Sequence, residues 1–227
     1  MCLIVLAWRA HRSFPLVVAA NRDEFHARPA AAAAFWSECP SLLAGRDLQA
    51  MGTWMGVTRG GRFAAVTNYR GAREPSAAES RGALVSRFLG NGQPAASYMS
   101  EVFRKASLYS GFNLLACDGE ELWWISNRDS APRRLEAGCY GLGNLLLDSP
   151  EVEGPRQRFR AAIDPAPVLE PLFTVLAESR IRDGQYGTRC STVMLRGEDG
   201  RVRYAERSFA PDGAEGETVQ FEFSLGS

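Results

Sequence analysis

Hydrophobic positions along the chain fall in short runs separated by turn-forming residues, the spacing of strands joined by hairpins. Cys2–Arg9 is rich in aliphatic side chains and predicts a strand; Ala10–Pro15 turns, and Leu16–Asn21 predicts a second strand. Thr53–Thr58 and Arg62–Tyr69 flank Arg59-Gly60-Gly61, and Phe112–Cys117 and Leu122–Asn127 flank Asp118-Gly119, both hairpin signals. Cys190–Leu195 and Val202–Arg207 make a third hairpin about Asp199-Gly200. Gly138–Asn144 is short and Gly-rich, and Thr218–Leu225 alternates Val219, Phe221 and Phe223 as a closing strand. Ser80–Leu89 and Pro94–Ser107 predict helices parted by Gly90-Asn91-Gly92; Pro155–Ile163 and Val168–Arg180 predict two more, divided by Pro165 and Pro167. The alanine run Ala30–Ala34 is expected to be a loop or one helical turn.

The order is strands, two helices, strands, two helices, strands. Adjacent strands joined by tight turns pair antiparallel, so the expected class is α+β with mainly antiparallel sheets. Two helix pairs inserted between hairpin groups would cover the outer faces of two stacked sheets. With no internal repeat and no linker composition, residues 1–227 are expected to form one domain.

Charge narrows the function classes. The 26 basic and 26 acidic residues cancel, so the chain lacks the positive field on which nucleic-acid binding rests. Lys105 is the only lysine, in a polar helical context, which leaves one candidate for Schiff-base chemistry. Five cysteines, with no CxxC spacing, point away from a zinc ribbon or thioredoxin motif. The cations of the N-terminal stretch follow its apolar run, the reverse of a signal peptide, and no run approaches the length of a spanning helix. The expected setting is soluble, cytoplasmic and reducing.

Candidate chemistry gathers at the N-terminus. Removal of Met1 would leave a thiol and a free α-amine on Cys2. An α-amine with a pKa near 8 can serve as general base for its own side chain. Cys2 also suits the start of a buried strand as a small apolar residue. The second strand ends in Asn21-Arg22-Asp23-Glu24-Phe25-His26-Ala27-Arg28-Pro29. If the first two strands pair, Asn21–Asp23 return beside Cys2. There an Asp can accept a hydrogen bond from the amine, and an Arg can lower the thiol pKa or bind a carboxylate. A salt-bridged strand end explains the same cluster, and Asp23, Glu24 and His26 as metal ligands are a weaker alternative. Only His11 and His26 are available for a Cys–His dyad. Three polar strand ends, Thr67-Asn68-Tyr69, Gly141-Leu142-Gly143-Asn144 and Tyr186-Gly187-Thr188-Arg189, offer oxyanion donors or ordinary turns. Trp54, Trp123 and Trp124 suit core positions, Trp54 also a ligand-lining one.

Met1-Cys2, Asn21-Arg22-Asp23-Glu24-Phe25 with Arg28-Pro29, Gly52-Thr53-Trp54-Met55-Gly56 and Thr67-Asn68-Tyr69 together resemble the NRDE family, the transport-and-Golgi-organisation family. The resemblance continues through Arg81-Gly82, Gly111-Phe112-Asn113-Leu114, Tyr140-Gly141-Leu142-Gly143-Asn144, Gly187-Thr188-Arg189 and Glu206-Arg207 to Phe221–Leu225. It implies haem trafficking, lipid or acyl-CoA metabolism or secretory organisation. The start, with Cys2, Asp23, Asn68, Asn144 and Arg189 in that order, is also similar to cysteine N-terminal-nucleophile hydrolases such as penicillin V acylases and bile-salt hydrolases. In those enzymes the Arg usually precedes the Asp by three residues, whereas here that place is Ala20 and Arg22 is adjacent to Asp23.

The second resemblance implies a four-layer αββα sandwich and hydrolysis of a linear amide through a thioester on Cys2. Asp23 would orient the amine, Asn68 and Asn144 would stabilise an oxyanion, and Arg189 would tune the thiolate or bind substrate. Asn21, Arg22, Arg28 and Trp54 would line the substrate site. No metal or cofactor is required. The other reading is a carrier of haem or an acyl-lipid in the same cleft, with neither nucleic acid nor a membrane span involved.

Overall fold

The computed structural model describes residues 2–71, 78–164 and 166–226; Met1 and Pro165 of the motifs above lie outside them. In chain order the first strands are β1 (Leu3–His11), β2 (Phe14–Phe25), β3 (Ala30–Trp36), β4 (Cys39–Asp47), β5 (Met55–Thr58) and β6 (Phe63–Asn68). Helices α1 (Arg81–Gly90) and α2 (Ala95–Arg104) follow, then β7 (Phe112–Cys117), β8 (Leu122–Ser126), β9 (Arg133–Leu135) and β10 (Gly138–Leu142). Helices α3 (Glu153–Ile163) and α4 (Leu169–Ala177) precede β11 (Tyr186–Arg196), β12 (Arg201–Phe209) and β13 (Glu215–Ser224). No helix among the described residues is long and apolar enough to cross a membrane.

The contacts divide the chain into two compact units. The first comprises Met1–Arg28, Ala137–Gly143 and Leu147–Leu225. Its sheet has six antiparallel strands in the order β10-β1-β2-β11-β12-β13. Side chains alternate across a strand, so Leu3, Val5 and Ala7 of β1 and Val17 and Ala19 of β2 share one face. They pack there with Phe159 and Ile163 of α3 and Leu172 and Leu176 of α4. The opposite face holds Ile4, Leu6, Leu16, Val18, Met194 and Tyr204, also buried. Pro155 lies in the first turn of α3, where a missing N–H costs no helical bond.

The second unit comprises Pro29–Glu136, Asn144–Leu146 and the last two residues. Its seven strands run as a meander, β3 to β9 in sequence order. Leu84, Val85 and Phe88 of α1 and Met99 and Val102 of α2 cover one face of it, over Leu114, Ala116 and Ile125. Ser80 is the N-cap of α1, its hydroxyl accepting the Gly82 N–H.

The expected helices and hairpins are all present. The alanine run is a correction: Ala30–Ala34 is part of β3, not a loop or helical turn. Pairing with β4, Ala34 opposite Ala44 and Ala31 opposite Arg46, overrides the helical preference of alanine. β4 itself and the short β9 lack the hydrophobic alternation that announces a strand.

One motif glycine has a packing reason. A Cβ on Gly141 would stand 2.7 Å from Val152 Cγ2, at the turn that leads into α3. Gly141→Ala is therefore expected to destabilise the protein by about 1–3 kcal/mol through overpacking. Urea denaturation monitored by circular dichroism measures it, and an unchanged midpoint would show that the turn yields freely.

Candidate functional site

The hairpin of β1 and β2 pairs Leu3 with Asn21; the next step of that register sets Cys2 opposite Arg22. The sulfur lies against the backbone of Asp23. The Asp23 N–H donates to Cys2 Sγ at 3.4 Å, and the thiol donates to the Asp23 carbonyl oxygen at the same distance. The Tyr186 hydroxyl donates to that same oxygen at 3.3 Å.

Asn21, Arg22 and Asp23 are all buried, and an unsatisfied polar group in such a place costs more than a hydrogen bond gains. Asn21 points to the helix side. Its Nδ2 donates to the Leu176 carbonyl of α4 at 2.9 Å, and its Oδ1 accepts the Ser191 hydroxyl at 2.6 Å. Asp23 Oδ1 accepts the Thr188 hydroxyl at 2.6 Å, and Thr188 Oγ1 accepts the Ile181 N–H at 2.9 Å.

β11 pairs with β2 through a bulge: Thr188 faces Asp23 and Cys190 faces Arg22, with Arg189 the extra residue. The Arg189 guanidinium reaches back to the loop after β2. Its Nη1 donates to the carbonyls of Phe25, His26 and Arg28 at 3.0, 3.3 and 2.9 Å. Burial, then the charge of Arg22, lowers its pKa. Arg28 also lies 4.0 Å from Glu24 across the same loop. Arg189 thus clamps the segment that presents Asp23.

A lowered thiol pKa is expected of Cys2 once it carries a free α-amine; in the chain that still carries Met1 the thiol is shifted the other way. The thiol is pushed up to about 11. Loss of hydration is the largest cause and the Asp23 carboxylate adds to it; the Asp23 backbone hydrogen bond and the charge of Arg22 pull the other way without prevailing. The guanidinium that acts on the sulfur is that of Arg22, while Arg189 holds the loop.

Asn68, Asn144 and Trp54 belong to the second unit. Asn144 is buried; its Nδ2 donates to the Asn68 carbonyl at 2.8 Å, and its own carbonyl accepts the Arg70 N–H at 2.6 Å. Asn113, fully buried, donates through Nδ2 to Thr67 Oγ1 at 3.2 Å and to the Leu145 carbonyl at 2.9 Å. These amides fasten the strand end at Asn68 to the segment Asn144–Leu146. The Trp54 indole lies over the backbone of Gly45, where a side chain would collide with it. The structure thus brings Cys2, Asn21, Arg22, Asp23, Arg28 and Arg189 together in one unit, and Asn68 with Asn144 in the other. Among the described residues, no group of three or more His, Cys, Asp or Glu side chains is placed to hold a metal ion.

Thr188, Tyr186, Ser191 and Asn113 were missed by sequence reasoning. Two of them lie in the strand-end motif Tyr186-Gly187-Thr188-Arg189, but only the β2–β11 register shows that they serve Asp23.

A sequence model described as Transport and Golgi organisation 2 matches residues 1–183. The chain belongs to the transport and Golgi organisation 2 family. Family relatives include the Bos taurus and Homo sapiens transport and Golgi organization protein 2 homologs, 34% and 32% identical over the whole of both chains. The Drosophila melanogaster transport and Golgi organization protein 2 is 29% identical over 66% of this chain and 59% of its own. In structure, this family member is similar to a Caenorhabditis elegans N-acylethanolamine-hydrolyzing acid amidase ortholog, with a TM-score of 0.54 and 15% identity over 86% of this chain and 92% of the other. The C2A mutant of a conjugated bile acid hydrolase from Clostridium perfringens matches with a TM-score of 0.54 and 11% identity over 98% and 97%. The family member therefore has the α+β fold of N-terminal-nucleophile hydrolases.

Two outcomes follow for the site. Thr188→Val removes a hydrogen bond to a buried carboxylate and is expected to cost about 1.5–3 kcal/mol, while Thr188→Ser restores most of it; denaturant unfolding of the three proteins decides. Asn144→Ala leaves the Asn68 carbonyl without that donor and is expected to cost about 1–3 kcal/mol, read as a lower melting temperature.

Proposed function

We propose that the protein is an N-terminal-nucleophile amidohydrolase in which removal of Met1 frees the α-amine of Cys2 and the Cys2 sulfur attacks a linear amide. The observation that carries this reading is the seating of the Cys2 thiol on the Asp23 backbone, at the head of β1, beside a buried carboxylate and a buried guanidinium. The solved structures of like fold include an N-acylethanolamine-hydrolyzing acid amidase ortholog and a conjugated bile acid hydrolase, both amide-cleaving in name.

With Met1 in place the thiol is held near 11 and has no amine of its own to take its proton. In the processed chain a base removes the proton as the sulfur attacks. The α-amine of the same residue is that base, with a pKa near 8 before the protein perturbs it. Sulfur bonds to the carbonyl carbon and its proton passes to the amine. The tetrahedral intermediate collapses as the leaving nitrogen takes that proton, and an amine departs. Water then attacks the thioester, with the α-amine again as base, and releases the acid and the free thiol. Asp23 orients the protonated amine, and Arg22 offsets the negative charge that gathers at the site. No metal or cofactor takes part.

The pH dependence follows from the sign. The base must be neutral, so kcat/KM rises with pH through the amine pKa. Intact-mass measurement and amide hydrolysis are to be made on three proteins: the natural chain, Cys2→Ala, and a variant with a bulky residue inserted between Met1 and Cys2. Loss of Met1 and activity in the natural chain alone supports the proposal. An insertion variant as active as the natural chain would refute it, because the thiol remains and the base is gone.

The second reading, for a chain in which Met1 is retained and Cys2 has no free amine, is a non-enzymatic carrier of haem or an acyl-lipid. Saturable haem binding with a Soret shift that Cys2→Ala or His26→Ala abolishes would favour it.

A further inference from the structure

The face of the first sheet away from its helices carries a buried polar row that the proposed mechanism uses only at one end. Continuing the β1–β2 register places Cys2 opposite Arg22; β2 and β11 pair Arg22 with Cys190; β11 and β12 pair Cys190 with Ser208 and Thr192 with Glu206. Alternation puts Arg22, Cys190, Thr192 and Glu206 on that one face. Glu206 is only 2% exposed and Arg22 7%. Glu206 Oε2 accepts the Thr192 hydroxyl at 3.2 Å. On β13 its register partner is the uncharged Val219.

Two buried opposite charges stand on either side of Cys190. A carboxylate and a guanidinium withdrawn from water on one face favour each other's charged state, and arginine is long enough to lean across one strand. We infer that Glu206 is a positioning residue for the Cys2 site: its carboxylate holds and balances the Arg22 guanidinium across Cys190. The effects on Cys190 agree, since its thiol, raised chiefly by burial, is pushed further up by Glu206 and pulled down by Arg22. Both charges therefore bear on the sulfur between them. Arg22 in turn acts on Cys2. The consequence is that the charge Cys2 feels from Arg22 is set two strands away. Besides Arg22, the titratable and charged groups that bear on this row are Tyr186 and, from the other face, Asp23 at Cys2, Arg189 beside Arg22 and Cys190, and Cys190 and Tyr204 at Glu206.

The inference rests on the reading of Cys2 as the reactive group, but its test does not require turnover. Iodoacetamide labelling of the Cys2 peptide is followed by mass spectrometry against pH in the full chain and in Glu206→Gln, Arg22→Gln and the double variant. Glu206→Gln removes the negative charge that offsets Arg22 from across Cys190 and is expected to move the labelling midpoint of Cys2 downward by roughly one pH unit. In the Arg22→Gln background the same change is expected to move it little, because the intermediary is gone. A purely structural Glu206 would lower the melting temperature and leave the labelling profile in place. Equal shifts with and without Arg22 would overturn the inference as surely as no shift. If Glu206→Gln alone fails to fold, the double variant remains informative. It is expected to fold better than the single variant, since both charges are then removed together, and a double variant less stable than Glu206→Gln would refute the pairing. Failure of amide hydrolysis with the labelling result intact would count against the hydrolase alone.

Discussion

Burying the polar end of a central strand is the constraint on which the first unit depends. β2 lies between β1 and β11 and is buried from Leu16 to Asp23, with Asn21, Arg22 and Asp23 as its last buried residues. None of these side chains can be left to solvent, so the neighbouring elements must supply partners. The α4 terminus supplies a carbonyl to Asn21, Ser191 and Thr188 of β11 supply hydroxyls, and the bulge at Arg189 lets Thr188 meet Asp23 while Cys190 still meets Arg22. The bulge also frees Arg189 to clamp the following loop, which keeps the strand end from fraying. A structure that satisfied fewer of these groups would lose about 1–3 kcal/mol for each.

The same burial sets the chemistry of Cys2. A sulfur packed against the Asp23 backbone loses hydration, and an anion is then disfavoured by more than Arg22 can restore. Such a thiol holds little of the thiolate that alkylation and oxidation require. It becomes useful only when a base sits within reach of its proton, which is the condition an α-amine on the same residue meets. Membership of the family and the likeness of fold are compatible with retained or lost catalysis, because activity lives in the site and not in the scaffold. Processing at Met1 is therefore the event on which the functional reading turns.

The asparagines of the second unit show how the same residue type serves support. Asn113 and Asn144 tie backbone carbonyls of Asn68 and Leu145 into place. An amide that donates to a buried carbonyl is a brace, whatever further use its remaining hydrogen has. Two glycines act alike: Gly141 admits Val152, and Gly45 admits the Trp54 ring.

Much of this was legible in the sequence. Hairpin signals, alternation in the closing strand and the helix breakers placed most elements within a few residues, because turn chemistry and apolar periodicity are local properties. The return of Asn21–Asp23 to the side of Cys2 followed from pairing two adjacent strands. The alanine strand β3 was not legible, since its conformation is imposed by β4 and runs against local preference. Nor were Thr188 as the partner of Asp23, Glu206 in the row beyond Arg22, or the upward displacement of the Cys2 pKa. The first two depend on strands more than a hundred residues apart in the chain settling into one register. The third depends on how much water the fold leaves at the sulfur, and hydration is a property of the packed sheet, which no single segment carries.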